Sequence, residues 1–274
     1  MKCGAIFSGV DVRDYKMVCA AQNYDFPDEF ELKTVRIKNQ DATNSCVAHS
    51  LSSIIEYYNN KQNNDPTEMS IGYIYGNRNT SEYKGEGMIM RDALEAVRKY
   101  GDVYKSDFIN GISIFDIDNM EVPYSIILYE DKKDELYDKG YPHRISQYCR
   151  VESVNAIKAS LYAGNPVLMA MMWYDDMEVI DGVLTTSYVG YAGGHCMFIY
   201  GWNEIGWKVQ NSWGEDWGVN GCMIIPYEMP IEEFWTLTDE IIEGTYVKKP
   251  FSSNAGKFFA KFINKVKICT NNIY

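Results

Sequence analysis

The hydrophobic pattern of the chain changes at Pro166, and this change restricts the folds open to it. Before Pro166, apolar residues recur at helical spacing in three segments, at 46–58, 88–99 and 152–163. After it, the apolar runs are short or alternating and are separated by Gly, Asn and Asp, which is typical of antiparallel strands. We expect four such strands, at 167–173, 196–202, 207–210 and 222–225. Helices followed by strands predict an α+β fold with two lobes.

Composition and charge exclude several classes of protein. Of the 274 residues, 46% are hydrophobic, which is enough for a sizeable core. The net charge is −12, so the average surface repels phosphates and a nucleic-acid partner is not expected. The sequence has neither a long apolar span nor an apolar leader. Its seven cysteines contain no CxxC pair. We therefore expect reduced thiols, a cytoplasmic location, no metal and no cofactor.

Cys46 is the candidate nucleophile. It begins the first predicted helix, which Asn44 or Ser45 can cap. The positive end of a helix dipole favours the thiolate, which is the reactive form of cysteine. Most cysteines are nevertheless small buried hydrophobic residues, so Cys46 alone is weak evidence for catalysis.

His195 and Asn211 supply the partners that a nucleophilic thiol needs. His195 follows two glycines and opens an apolar strand, and Asn211 follows across a predicted hairpin. An amide oxygen that accepts the imidazole N–H fixes the orientation of the ring. We expect Trp213 to cover that hydrogen bond, and the Gln40 amide to form an oxyanion hole with the backbone N–H of Cys46.

These residues and their spacing resemble the papain family of cysteine peptidases. The resemblance rests on Gln40 to Cys46, on Gly194-His195, and on Asn211-Ser212-Trp213-Gly214 followed by Trp217-Gly218 and Gly221. His195 follows Cys46 by 149 positions, a separation typical of the family. The resemblance implies a helical left lobe, an antiparallel, β-barrel-like right lobe and a cleft between them. It also implies hydrolysis of polypeptides through an acyl-enzyme on Cys46.

A bacterial and viral branch of the family resembles the chain over about residues 9–237. We therefore divide the sequence into an N-terminal segment at 1–35, a peptidase domain at 36–237 and a tail at 238–274. Within the domain, the left lobe is expected mainly at 40–150 and the right lobe mainly at 151–237. The N-terminal segment is shorter than the helical propeptide of secreted relatives, so an inhibitor of that kind is not expected.

The resemblance also implies where substrate binds. Gly87 stands where the family pairs a glycine with the substrate backbone, and Met88 beside it is expected to line the second subsite. Asn44 and Asp41 replace two glycines of the family, so we expect a changed first specificity pocket. Trp213 completes the predicted substrate contacts.

The tail has a basic amphipathic pattern at 255–268. Lysines at 257, 261, 265 and 267 alternate with phenylalanine, isoleucine and valine. We favour packing of the apolar face on the acidic body, with docking to a membrane or a protein partner as the alternative.

Three functions remain open at this point. The leading hypothesis is a cysteine endopeptidase. The second is an amidohydrolase or acyl transferase that acts on a cell-wall peptide or another non-protein amide through the same chemistry. The third is a catalytically silent binding module, against which the presence of Gln40, Cys46, His195 and Asn211 together argues.

Overall fold

The computed structural model describes residues 3–12, 14–17, 25–78, 85–109, 112–113 and 133–239. The helices within these residues are α1 (Cys46–Asn63), α2 (Ile71–Gly76), α3 (Met90–Tyr100), α4 (Lys133–Gly140) and α5 (Val154–Tyr162), with a 3₁₀ turn at Tyr141–His143. The first seven strands are β1 (Ala5–Ile6), β2 (Lys16–Met17), β3 (Phe30–Glu31), β4 (Met88–Ile89), β5 (Phe108–Ile109), β6 (Ile112–Ser113) and β7 (Gln147–Val151). The others are β8 (Val167–Tyr174), β9 (Glu178–Ile180), β10 (Val183–Thr185), β11 (Tyr191–Trp202), β12 (Gly206–Gln210), β13 (Cys222–Pro226) and β14 (Glu233–Thr238).

A ten-stranded sheet forms most of the second half of the chain. Its order is β2-β7-β14-β8-β11-β12-β13-β10-β9, and β3 pairs with β11 beside this path. The predicted strands at 167–173, 196–202, 207–210 and 222–225 all lie within it. Most pairs are antiparallel, but β2 with β7 and β10 with β13 are parallel. The α+β class is confirmed, and among the described strands the sheet is open rather than a closed barrel.

Helix α1 is the buried helix of the structure. Every residue from 46 to 59 is buried, including several polar ones. Ser45 occupies the N-cap position, although its side chain makes no capping bond. The helix ends where Asn64 adopts a left-handed conformation and its N–H bonds to the last turn. On the sheet side, the Ser50 hydroxyl donates to the carbonyl oxygen of Cys196 at 3.2 Å. Helix α1 is thereby fixed against β11.

Helix α3 begins later than the sequence predicts. Met88 and Ile89 form strand β4, and the helix starts at Met90. Gly101 ends it with a φ of +72°. A β-carbon at this position would lie 1.8 Å from the carbonyl oxygen of Gly140 in α4, so only glycine fits.

Residues 104–150 contain more regular structure than the sequence indicates. Helix α4 and most of strand β7 lie within this region, where the sequence shows no clear hydrophobic period. The predicted helix at 255–268 lies outside the described residues. None of the described helices is both long enough and apolar enough to cross a bilayer.

Candidate active site

Cys46 is the first residue of α1 and is fully buried. Its Sγ accepts a hydrogen bond from the backbone N–H of Gly4 at 3.3 Å. Burial raises the pKa of the thiol above its ordinary value of 9.0, and hydrogen bonds from the backbone of Cys196 and Gly4 offset this only in part. This direction is opposite to the one that the helix dipole predicts. In this structure the loss of water around the thiol outweighs the dipole.

His195 and Asn211 are in direct contact. His195 lies on β11, Asn211 follows β12, and Nε2 of the imidazole is 2.8 Å from Oδ1 of the amide. The same oxygen accepts the backbone N–H of Ser212 at 2.8 Å, so it is an acceptor and Nε2 carries the proton. Nδ1 is therefore the basic nitrogen of the neutral ring. Among the described residues it is buried without a hydrogen-bond partner.

The imidazole of His195 is enclosed by two tryptophans. Trp213 stacks on it with ring centroids 4.3 Å apart, and Trp173 meets it edge-on at 5.4 Å. Burial lowers the pKa of His195 to about 4, and the hydrogen bond to Asn211 opposes this shift. Both His195 and Cys46 are therefore uncharged at neutral pH in this arrangement.

The nucleophile and the base approach each other through the contact of α1 with β11. The Ser50 hydroxyl of α1 donates to the carbonyl oxygen of Cys196, the residue after His195, at 3.2 Å. No direct bond joins Sγ to Nδ1, since Sγ accepts from Gly4 instead. The geometry thus brings Cys46, His195 and Asn211 to one place in a covered state.

The buried side chain of Gln40 is fixed in the loop that leads to Cys46. Its Oε1 accepts the hydroxyl of Ser212 at 2.8 Å, and its Nε2 donates to the carbonyl oxygen of Thr43 at 2.8 Å. Its backbone N–H also donates to the carbonyl of Ser212 at 2.9 Å. These bonds determine which end of the amide is the donor and tie the loop to the segment after Asn211.

Asp41, which stands where the family has a glycine, has a φ of +46°. This is the left-handed region, which aspartate tolerates better than most residues. Its backbone N–H bonds to Oδ1 of Asn39 at 3.0 Å. The position keeps the backbone conformation that glycine favours while carrying a carboxylate.

A buried ion pair supports this loop, and the sequence analysis did not identify it. Nζ of Lys38 lies 2.7 Å from Oε1 of Glu56 on α1. The same carboxylate oxygen accepts the backbone N–H of Met69 at 2.8 Å. The carbonyl oxygen of Lys38 in turn accepts the N–H of Gly214 at 3.0 Å. The pair connects α1 to both segments that flank the site.

The residues predicted to bind substrate contact residue 4 of the chain itself. The N–H of Met88 donates to the carbonyl oxygen of Gly4 at 2.8 Å. A β-carbon on Gly87 would lie 2.4 Å from that oxygen, and one on Gly4 would lie 1.9 Å from the carbonyl oxygen of Asn44. In the sequence, only the small residues around position 4 hint at this contact. Among the described residues, no group of three or more potential ligands is arranged to hold a metal ion.

Comparison with known proteins agrees with this geometry. The family model described as papain family cysteine protease matches residues 20–231. Xylellain, a cysteine protease from Xylella fastidiosa, has a similar structure, with a TM-score of 0.68 and 20% identity over 87% of this chain and 96% of that one. The procathepsin B S9 of Trypanosoma congolense superposes with a TM-score of 0.62 and 18% identity, over 86% of this chain and 85% of that one.

Two sequence relatives point the same way. An uncharacterized peptidase C1-like protein of Acanthamoeba polyphaga mimivirus is 26% identical over 75% of this chain and 71% of its own length. A gut-specific cysteine proteinase of Caenorhabditis elegans is 37% identical over 31% of this chain, which corresponds to 27% of that protein.

Proposed function

The chain belongs to the papain family of cysteine proteases and is a cysteine peptidase, and we propose that it hydrolyses internal peptide bonds of polypeptides through an acyl-enzyme on Cys46. The observation that carries this proposal is the His195–Asn211 hydrogen bond of 2.8 Å, on a strand that is bonded to the helix whose first residue is Cys46. Nucleophile, base and orienting amide are the three roles of a hydrolytic triad.

The reaction proceeds in two half-reactions. In the first, Nδ1 of His195 accepts the thiol proton while Sγ of Cys46 attacks the peptide carbonyl carbon. The C–N bond then breaks, and His195 gives the proton to the departing amine. In the second, a water gives a proton to His195 and attacks the thioester carbon. The C–S bond breaks, the proton returns to Cys46, and the carboxylic acid leaves.

Asn211 acts by holding the imidazole. Because its oxygen is itself held by the N–H of Ser212, the bond to Nε2 keeps Nδ1 as the basic nitrogen. The Trp213 ring, stacked on the imidazole at 4.3 Å, restricts rotation and excludes water from this bond.

Two donors stabilise the oxyanion. The N–H of Cys46 lies in the first turn of α1, where no carbonyl of the same helix can accept it. The Nε2 of Gln40 is held at the start of the same loop, because it donates to the carbonyl oxygen of Thr43 while Oε1 of the same amide accepts the hydroxyl of Ser212. Each such donor typically lowers the barrier by about 2.7–4 kcal/mol.

The cleft favours an extended polypeptide. In this structure residues 4–6 lie beside Gly87 and Met88, and the N–H of Met88 donates to the carbonyl oxygen of Gly4. A substrate that forms the same main-chain bonds binds by strand addition, with its side chains entering pockets on alternate sides. Asn44 and Trp213 are the proposed neighbours of the scissile bond.

A peptide-library cleavage profile tests the function. We expect cleavage by the chain, none by Cys46→Ala, and undiminished cleavage by Cys149→Ala, which removes a buried thiol on β7. A peptidyl epoxide should label Cys46 in the chain. Labelling without cleavage of any polypeptide, but with release of cell-wall peptides, would assign the amidohydrolase function. The absence of both labelling and cleavage would leave a binding module.

A further inference from the structure

A series of hydrogen bonds runs from His49 on α1 to Gln40 in the loop before that helix. Nδ1 of His49 lies 3.0 Å from the carbonyl oxygen of Ser45 and 3.1 Å from its hydroxyl. The hydroxyl of Ser45 lies 2.6 Å from that of Thr43. The Thr43 hydroxyl donates to the carbonyl oxygen of Gln40 at 2.6 Å. We call these four residues the loop network. It connects α1 to the residue that carries the proposed oxyanion donor.

The direction of each bond in the loop network is determined by its two ends. A carbonyl oxygen only accepts, so Nδ1 of His49 carries a proton, and the Thr43 hydroxyl is the donor to Gln40. The Ser45 hydroxyl therefore accepts from His49 and donates to Thr43. The network thus has one arrangement of its protons, which runs from the imidazole to the carbonyl of Gln40.

The imidazole end of the network is shielded from water. His49 and Ser45 are both buried. Burial lowers the pKa of His49 to about 3, and the hydrogen bond to the backbone of Ser45 opposes this shift. The ring is therefore neutral at ordinary pH, with its proton on Nδ1. A buried network whose members are all bonded is rigid, because water does not compete for its bonds.

We propose that His49 is a positioning residue for the oxyanion donor, and that it acts on Gln40 through the hydroxyls of Ser45 and Thr43. The proposal rests on the function proposed above, because it concerns an oxyanion donor of the same reaction. His49 is neither the base nor the nucleophile here, since its Nδ1 is bonded to the loop.

Gln40 is the residue whose orientation the network controls. Its carbonyl oxygen accepts the N–H of Thr43 at 3.0 Å as well as the hydroxyl of the same residue. Its side-chain amide donates to the carbonyl oxygen of Thr43 at 2.8 Å. Thr43 therefore holds both the backbone and the side chain of Gln40. A shift of Thr43 moves the amide relative to the N–H of Cys46, and an oxyanion donor is effective only over a narrow range of distances.

Ser45 shows that the network serves the loop rather than the helix. It occupies the N-cap position of α1, where a serine hydroxyl ordinarily accepts a backbone N–H of the first turn. Here the side chain makes no such bond, and its hydroxyl joins His49 to Thr43 instead. A residue that departs from its usual local role in this way is expected at a functional site.

Substitutions of Thr43 test the network with little change of shape. Thr43→Val removes the hydroxyl, whereas Thr43→Ser keeps it. His49→Phe keeps an aromatic ring without its nitrogens. The matched control is Thr185→Val, which removes a hydroxyl that donates to the carbonyl oxygen of Glu178 at 3.2 Å in the hairpin of β9 and β10. Circular dichroism and tryptophan fluorescence establish that each variant is folded.

Two reagents that modify Cys46 separate oxyanion stabilisation from access to the thiol. p-Nitrophenyl acetate transfers its acetyl group to Sγ and releases nitrophenolate, through a tetrahedral oxyanion. Iodoacetamide forms a C–S bond as iodide leaves, and no oxyanion develops. Both reagents must reach the same buried thiol, so the ratio of the two rates does not depend on its exposure. Mass spectrometry of the peptide that contains Cys46 measures both rates.

Thr43→Val and His49→Phe should lower the acetylation rate about 10- to 100-fold at an unchanged alkylation rate, because a displaced donor costs less than the roughly 100- to 1,000-fold loss for a donor removed. Thr43→Ser and Thr185→Val should leave the ratio of the rates unchanged. For a cleaved library peptide, kcat should fall with little change in KM, since the oxyanion forms only during the reaction.

A double variant tests whether the network acts through Gln40. Gln40→Ala removes the side-chain donor, so adding Thr43→Val should cause little further loss of acetylation. Losses that multiply in the double variant would overturn the proposal. An unchanged ratio in both Thr43→Val and His49→Phe would also overturn it, as would an equal fall of acetylation and alkylation, which indicates a general disturbance of the thiol.

The outcome for the peptidase function is separate. Acetylation of Cys46 with the expected ratios, but without cleavage of any polypeptide, would support the role of His49 and contradict the peptidase function. Cleavage of polypeptides with an unchanged ratio in the folded variants would leave the function standing and overturn the role of His49. A chain in which p-nitrophenyl acetate does not acetylate Cys46 at all would contradict both.

Discussion

Replacing Glu56 by glutamine should destabilise the protein far more than the same change at an exposed ion pair. The Lys38–Glu56 pair and the Lys16–Glu152 pair have the same N–O distance of 2.7 Å. Their side chains differ in exposure, at 2% and 4% for the first pair and 40% and 50% for the second. Because the distance is matched, the expected effects differ through burial and through the further contacts of Glu56, which accepts the N–H of Met69 at 2.8 Å and lies 3.5 Å from Arg36.

The expected loss in the free energy of unfolding follows from the contacts that Lys38 and Lys16 keep after each substitution. In Glu56→Gln, the ammonium of Lys38 keeps the hydroxyl of Ser52 at 2.7 Å but loses its buried counter-charge. An uncompensated buried charge typically costs about 3–5 kcal/mol. In Glu152→Gln, water solvates Lys16, and the loss should be about 0–1 kcal/mol.

The assay is urea unfolding followed by tryptophan fluorescence, with the midpoint and slope compared among variants. The double variant Lys38→Met/Glu56→Gln should lose less stability than Glu56→Gln, since no unpaired ammonium is left inside. A loss in Glu56→Gln that is no larger than in Glu152→Gln would refute the reasoning, as would a double variant less stable than the single one.

Three further perturbations address the base, the pH dependence and the end of α3. Asn211→Ala should lower kcat/KM about 10- to 100-fold, because a buried hydrogen bond to His195 is lost; an unchanged value would contradict the orienting role. Burial alone would raise the pKa of Asp14, but bonds and charges from two arginines hold it below its usual value. The carboxylate therefore stabilises the fold above about pH 4, and the gap in unfolding midpoint between the chain and Asp14→Asn should close as pH falls below that value. Gly101→Ala should lower the free energy of unfolding by about 1–3 kcal/mol. It should cost more than Gly182→Ala, which has a φ of +81° but whose β-carbon would meet only a side-chain atom of Val219 at 3.4 Å, and equal losses would show that the contact with α4 is not limiting.

Local sequence patterns were sufficient to predict the helix and the strands that carry the candidate site residues. Helix α1 begins at Cys46, as its apolar period indicates, and the alternating runs after Pro166 become β8 and β11–β13. The side chains of His195 and Asn211 meet because the short turn between β11 and β12 makes these strands neighbours. Residue type and spacing therefore predicted the candidate catalytic residues without knowledge of the sheet order.

Elements that depend on distant partners were not predicted. Strand β7 carries Arg150, whose charge argues against a buried strand, but Asp14 and Glu233 neutralise it. Strand β1 has only two residues and exists because β4 lies beside it. The raised pKa of Cys46 has the same origin, since Gly4, whose N–H contacts the buried thiol, is remote in sequence from α1.

Strand β11 has a consequence for how the enzyme would lose activity on heating. It pairs with β8 over most of its length, with β12 at its C-terminal half and with β3 at its end. Amides in such a central strand usually open only with the whole domain. The base on β11 therefore lies in a strand that should stay folded until the domain unfolds, whereas Gly4 contacts the thiol next to β1, a strand of only two residues. Local opening of β1 should therefore expose the thiol at temperatures at which the imidazole is still held by Asn211.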